Sequence, residues 1–74
     1  MVNINGLAIG QSAKIVKIEG DSPLTKRLSA LGCLPGTDLA LLRRAPLGDP
    51  LVVRFRGCCM AIRQKDAASI FVEY

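Results

Sequence analysis

From Ser12 the apolar positions run as Ala13, Ile15, Val16 and Ile18 among Lys14 and Lys17, which predicts a strand over about Ser12 to Glu19. The adjacent pair Ile15-Val16 breaks strict alternation, so this strand should carry a bulge or be buried on both faces. Ile4 and Leu7 precede it, and Gly10 turns the chain into it. The period then changes. Ser22 followed by Pro23 reads as an N-cap with proline at the first helical position, where a missing N–H costs nothing. Leu24, Leu28 and Leu31 fall at i, i+4 and i+7, one apolar stripe, with Lys26 and Arg27 pointing away from it. Gly32 is placed to end the helix in the left-handed region, and Leu34, Pro35 and Gly36 form a tight turn that prevents its continuation.

From Thr37 the period returns to two. Leu39 and Leu41 alternate with Asp38 and Ala40, although Leu42 makes the second face apolar as well. The stretch Ala45-Pro46-Leu47-Gly48-Asp49-Pro50 is a turn-rich loop with a leucine at its centre. Leu51, Val53 and Phe55 then share one face with Arg54 and Arg56 on the other. Gly57 permits a hairpin reversal, after which Met60 and Ile62 continue the inward face. Gln64 to Ser69 predicts one helical turn with Asp66 near its start, and Ile70 to Tyr74 a closing strand. Five short strands with one early helix predict a mainly β fold, a small closed or half-open barrel in which closure removes exposed edges. No repeat, low-complexity tract or linker interrupts the pattern, so residues 1–74 are read as one domain.

Length changes the picture in one respect. With 74 residues, half of them hydrophobic, a chain buries only about 60% of its unfolded surface. Some apolar side chains must remain outside, and a contiguous patch of them would mark a partner. The aromatic residues are Phe55, Phe71 and Tyr74, so the core is expected to be aliphatic, with Phe55 and Phe71 contributing to it. Ten Lys and Arg against six Asp and Glu give a net charge of +4. They are spread in runs of no more than two, as on a solvated surface. A basic balance also suits nucleic acid, an anionic membrane surface or an acidic protein. Residues 1–10 lack the basic and continuously apolar regions of a leader, and no stretch approaches the ~20 apolar residues that span a bilayer. A cytoplasmic location is expected.

The side-chain inventory excludes most chemistry. There is no histidine, hence no ordinary general base near neutral pH and none of the commonest metal ligand. Gly-rich phosphate loops are absent, and no spacing pairs two carboxylates on one helix face. No enzymatic activity, catalytic residue or cofactor is expected. Three cysteines, two of them adjacent, make no disulfide framework. Cys58 and Cys59 in a strand point to opposite faces, so one should pack inside as a small hydrophobe and the other remain a spectator thiol. The alternative is a three-thiolate site for a soft metal, formed with Cys33. A nucleic-acid reading rests on charge and on the small barrel alone, and it lacks aromatic platforms for stacking bases. Leu47, between Pro46 and Gly48, either folds back over the barrel mouth or stands out on a stiff loop as a contact for a protein partner. Lys26 and Arg27 would steer toward an acidic surface.

Taken in order, these segments resemble the FeoA family, nearly from end to end. The opening Leu7-x-x-Gly10 with Ala13, Ile15 and Ile18 is similar to the family's start. Arg27-Leu28-x-x-Leu31-Gly32-x-Leu34-Pro35-Gly36 is similar to its helix and turn, and Ala45 to Pro50 to its most recognisable loop. Gly57, Met60 to Arg63, Ala67, Ala68 and Ile70 fit its closing half. Cys58 departs from the pattern, standing where the family often has an aromatic residue, and Cys59 where a polar one is expected. The resemblance implies an SH3-like, five-stranded barrel with a helix inserted after the first strand. It also implies a regulatory role beside FeoB, the membrane ferrous iron transporter with a cytoplasmic G-protein domain, the chain reaching the membrane only through that partner. The residues expected at the partner surface are Lys26, Arg27, Leu34, Pro35 and Gly36, together with Pro46, Leu47, Gly48, Asp49 and Pro50. An arginine such as Arg27 assisting GTP hydrolysis is a further expectation of this kind. The similar C-terminal barrel of iron- or manganese-dependent repressors is a related origin, but no DNA-binding helices precede the barrel here. The exposed aliphatic surface is compatible with self-association.

Overall fold

The computed structural model describes residues 2–20 and 22–74. Its strands are β1 (Val2–Asn3), β2 (Ser12–Ile18), β3 (Asp38–Arg44), β4 (Leu51–Phe55), β5 (Cys58–Ile62) and β6 (Ile70–Glu73). Helix α1 (Pro23–Ala30) joins β2 to β3, and the short α2 (Gln64–Ala67) joins β5 to β6. All pairings are antiparallel, in one six-stranded sheet ordered β1-β6-β2-β3-β4-β5. The five strands expected from the alternation are present. The sixth, β1, adds two residues at one edge beside β6.

The sheet curls around a single aliphatic core because β2 and β3 bend. Register shifts lie between Ile15 and Lys17 and between Leu41 and Arg43. The bulges therefore fall on Val16 and Leu42, the two residues that interrupt apolar alternation, and a bulge both bends a strand and sharpens its twist. Ile15, Leu39, Leu41, Leu51, Val53 and Phe55 are buried inside. One end is plugged by a 3-10 turn, Ile4–Gly6, which buries Ile4 and is followed by buried Leu7. Asn3 caps that turn, its Oδ1 accepting from the Asn5 N–H at 3.0 Å.

Helix α1 begins as its sequence dictates. Ser22 Oγ accepts from the Thr25 N–H at 3.2 Å, and Pro23 occupies the first helical position. The helix ends in a Schellman arrangement around Gly32, whose φ is +88°. The Cys33 N–H reaches the Leu28 carbonyl at 2.9 Å and the Gly32 N–H the Ser29 carbonyl at 3.1 Å. Such a stop is accompanied by an apolar contact between the residue after glycine and the third from the helix end. Leu28 and Cys33 fill those positions, and both are buried.

Three expectations need correction. Leu31 is not on the buried stripe: the helix ends at Ala30, and Leu31, its C-cap, is 40% exposed. Phe71 is only half-buried, on the outer side of β6, with Lys17 Nζ 5.2 Å from its ring centre. Cys58 and Cys59 are both exposed. Cys58 shares a face with Met60 and Ile62, but it stands at the hairpin end of an edge strand, where no neighbouring strand covers it.

Candidate docking site

The Ala45 to Pro50 loop connects β3 to β4 and is tied down by its own polar groups. The Ala45 N–H donates to the Pro50 carbonyl at 3.0 Å, and the Gly48 N–H to the Ala45 carbonyl at 2.7 Å. Gly48 has φ +83°, a value that favours glycine. From outside the loop, the N–H of Gln64 donates to Asp49 Oδ1 at 3.0 Å, so Asp49 caps α2 from a distant part of the chain. Gln64 Nε2 donates to the Gly48 carbonyl. The Gln64 carbonyl in turn accepts from Asn5 Nδ2 at 3.1 Å. Arg44 completes the brace, its guanidinium donating to the carbonyls of Asn5 (2.8 Å) and Leu7 (2.7 Å).

On this braced loop Leu47 is 95% exposed. It does not fold back over the barrel. Asp49 and the Gly48 carbonyl are engaged with Gln64 in the same molecule, which leaves the Leu47 side chain facing solvent without an apolar neighbour to cover it. Burying such a side chain against another surface is worth about 1.5–3 kcal/mol. Holding it on a fixed loop means that little order is lost on contact. Beside it lies a shallow groove of ≈ 310 Å³ walled by Arg43, Pro46, Pro50 and Val52.

The other expected partner residues lie elsewhere. Lys26 and Arg27 are exposed on α1, and Leu34, Pro35 and Gly36 lead into the first residue of β3. The Gly36 N–H bonds to the Ile15 carbonyl at 2.7 Å, and the Thr37 N–H to the Leu34 carbonyl at 3.0 Å, so this turn is also fixed. Leu34 is 48% exposed. Residues 34–36 and 46–50 thus flank opposite ends of β3, a seven-residue strand that would be about 23 Å long if straight. The structure does not gather them into one patch. Residue-type reasoning missed Leu31, whose side chain is exposed three residues before Leu34, and the groove wall at Arg43. Leu31 was legible in principle, because Gly32 stops the helix just after it.

Arg27 sits in the last turn of α1, where a cation favourably meets the negative end of the helix dipole. The thiols do not converge. Cys33 is buried, and burial pushes its pKa from 9.0 up to about 11. Cys58 and Cys59 lie on the surface, and among the described residues no group of three Cys, Asp or Glu side chains is placed to hold a metal ion. No helix among them is long and apolar enough to cross a membrane.

Comparison with known proteins accords with this architecture. Residues 2–74 match the family model described as FeoA domain. The Fe(2+) transport protein A/Fe(2+) transporter FeoB fusion protein of Porphyromonas gingivalis is 33% identical over 72 residues, 97% of this chain but only 8% of that protein. The chain therefore spans a small fraction of that relative's length. The solution structure of FeoA from Chlorobium tepidum superposes with a TM-score of 0.91 at 32% identity, covering 97% of this chain and 69% of that one. FeoA of Stenotrophomonas maltophilia, described as an SH3 domain protein complexed with zinc, has the same fold, with a TM-score of 0.84 at 22% identity over 99% of this chain and 91% of that one. A family match over almost every residue, on an SH3-like sheet with its helix inserted between β2 and β3, shows that the chain belongs to the FeoA family.

Proposed function

We propose that the chain is a non-enzymatic, cytoplasmic docking module of bacterial ferrous iron uptake, which binds the FeoB transporter and modulates its transport or GTPase activity. The link to iron uptake is supported by the Porphyromonas gingivalis relative, whose name joins a ferrous iron transport protein A to FeoB in one polypeptide. Fusion of two modules in one organism is what association between separate chains would replace in another. The observation that carries the docking role is Leu47, 95% exposed on a loop braced by α2 and the 3-10 turn. A leucine so placed adds nothing to its own core, and covering it would add to the affinity of a partner.

The direct test is a calorimetric titration of the protein against the cytoplasmic domain of FeoB, with GDP and with a non-hydrolysable GTP analogue. Saturable binding that differs between the nucleotides is expected of a regulator that reads the transporter's switch state. No binding in either state, to the domain or to the intact transporter in detergent, would sink the proposal.

A further inference from the structure

Strand β5 ends the sheet and pairs only with β4. The two strands meet through a two-residue turn, Arg56-Gly57, with φ of +50° and +78°. In this kind of hairpin the residues flanking the turn, Phe55 and Cys58, exchange both backbone bonds, and every second pair thereafter does the same. Cys58, Met60 and Ile62 therefore direct their N–H and C=O groups to β4. Those of Cys59 and Ala61 point to the free side, and both residues are exposed. Edge strands are usually blunted by a charge or a proline. Cys58–Ile62 carries neither.

The outer face beside this edge has a consistent charge. Across β3, β4 and β5 the register aligns Arg43 with Val52 and Ala61, and Ala40 with Arg54 and Cys59. Arg63 follows Ala61 by two residues at the end of the edge strand. Arg43, Arg54 and Arg63 are exposed, and none has a carboxylate partner among the described residues, where Lys17–Glu19 is the ion pair formed. Asp38, at the other end of β3, stands opposite Lys14, and Asp49 is engaged by Gln64.

We infer that β5 accepts an added strand from a partner protein, an extended segment in which acidic residues alternate with aliphatic ones. The Cys59 and Ala61 backbone groups continue the ladder into that segment. Because side chains alternate along a strand, every second one lies on the arginine face, where carboxylates meet Arg54 and Arg63. The others lie toward the half-buried side chain of Met60 and favour an aliphatic residue. Nucleic acid fits this surface less well, since the positions between the arginines are Ala40, Val52, Cys59 and Ala61, with no aromatic ring for a base to stack on. A second copy paired edge to edge would bring like charges together.

This inference rests on reading the chain as a docking module and makes no use of Leu47, although Arg43, Val52 and Ala61 also line the groove beside that residue. Its test is an NMR titration of the full chain with a short synthetic peptide alternating glutamate and valine. Saturable shifts at the Cys59 and Ala61 amides, with slowed hydrogen exchange there, are expected. The doubly substituted Arg54→Glu/Arg63→Glu protein should bind about tenfold or more weakly, as expected when like charges are set opposite one another. Ala61→Pro removes an outward N–H without taking a bond from β4 and should also abolish binding. If that variant fails to fold, the charge reversal carries the test. Equal binding of a peptide alternating lysine and valine, shifts confined to other strands, or binding of a single-stranded oligothymidylate in place of the peptide would overturn it. The transporter takes no part in this titration, so its failure leaves the Leu47 docking reading intact, and the reverse holds too.

Discussion

Cys33 shows how one residue reads differently in sequence and in space. By type it is a potential ligand or nucleophile; by position it is the apolar partner of Leu28 in the stop of α1. Burial raises its pKa from 9.0 to about 11. The folded chain therefore keeps a proton over an interval in which the unfolded chain has lost it, so stability is full below about pH 9 and falls as pH rises toward about 11. A denaturation series across that interval should show a slope that Cys33→Ala flattens. Under native conditions near neutral pH, a thiol reagent should modify Cys58 and Cys59 and leave Cys33 untouched until denaturant is added. Fast reaction of all the thiols would show that the helix stop is not sealed. Gly32 supplies a second test. Its φ is +88°, and a Cβ there would lie 2.9 Å from Arg56 Nε. Gly36 has φ +94° with open space around it. Both alanine substitutions should cost about 1–2 kcal/mol for the left-handed backbone. Arg56 is exposed and its flexible end can swing aside, so Gly32→Ala should cost about as much as Gly36→Ala, and a chemical denaturation midpoint for each variant decides it.

At the scale of elements, the loop that carries Leu47 is tied to α2 by two long-range bonds, the Asp49 cap and the Gln64 Nε2 bond to the Gly48 carbonyl. Asp49→Ala deletes the acceptor for the Gln64 N–H and should cost about 1 kcal/mol, the usual loss when a cap is removed. Amide exchange at Gln64 should accelerate, while β2 and β3 keep their protection. Uniform loss of protection would mean that the brace is part of the global fold. The elements that were legible in the sequence are those with a local cause. Ser22-Pro23 starts α1, Gly32 stops it, Ile15-Val16 announces the β2 bulge, and Gly57 turns the β4–β5 hairpin. Strand β1 was not legible, because two residues carry no period. Nor was the exposure of both Cys58 and Cys59, which follows from β5 being an edge, a property of strand order that alternation does not encode. The brace joins Asn5, the Arg44 to Asp49 stretch and Gln64, three parts of the chain that are far apart in sequence. Only the fold brings them together, so the sequence showed a stiff loop with a leucine but not the long-range bonds that hold it.

For the whole molecule, the expected partner residues divide between the two ends of β3. A partner that uses both would have to span that strand. Substitutions at Leu34 and Leu47 should then add in their effect on binding, as independent sites do. If Leu34→Asp leaves affinity unchanged, docking is confined to the braced loop and the groove beside Arg43. The fold is compatible with either extent of contact, because both turns are held by backbone bonds to neighbouring strands or within the loop.

The measurement closest to the central claim is the affinity of the FeoB cytoplasmic domain for the wild-type protein and for Leu47→Asp, determined side by side by calorimetry. Leu47 is 95% exposed, so the substitution should leave the unfolding midpoint unchanged. Losing the ~1.5–3 kcal/mol that its burial would contribute should weaken binding by about tenfold to a hundredfold. Equal affinity for the two proteins would remove the braced loop from the interface and contradict the account.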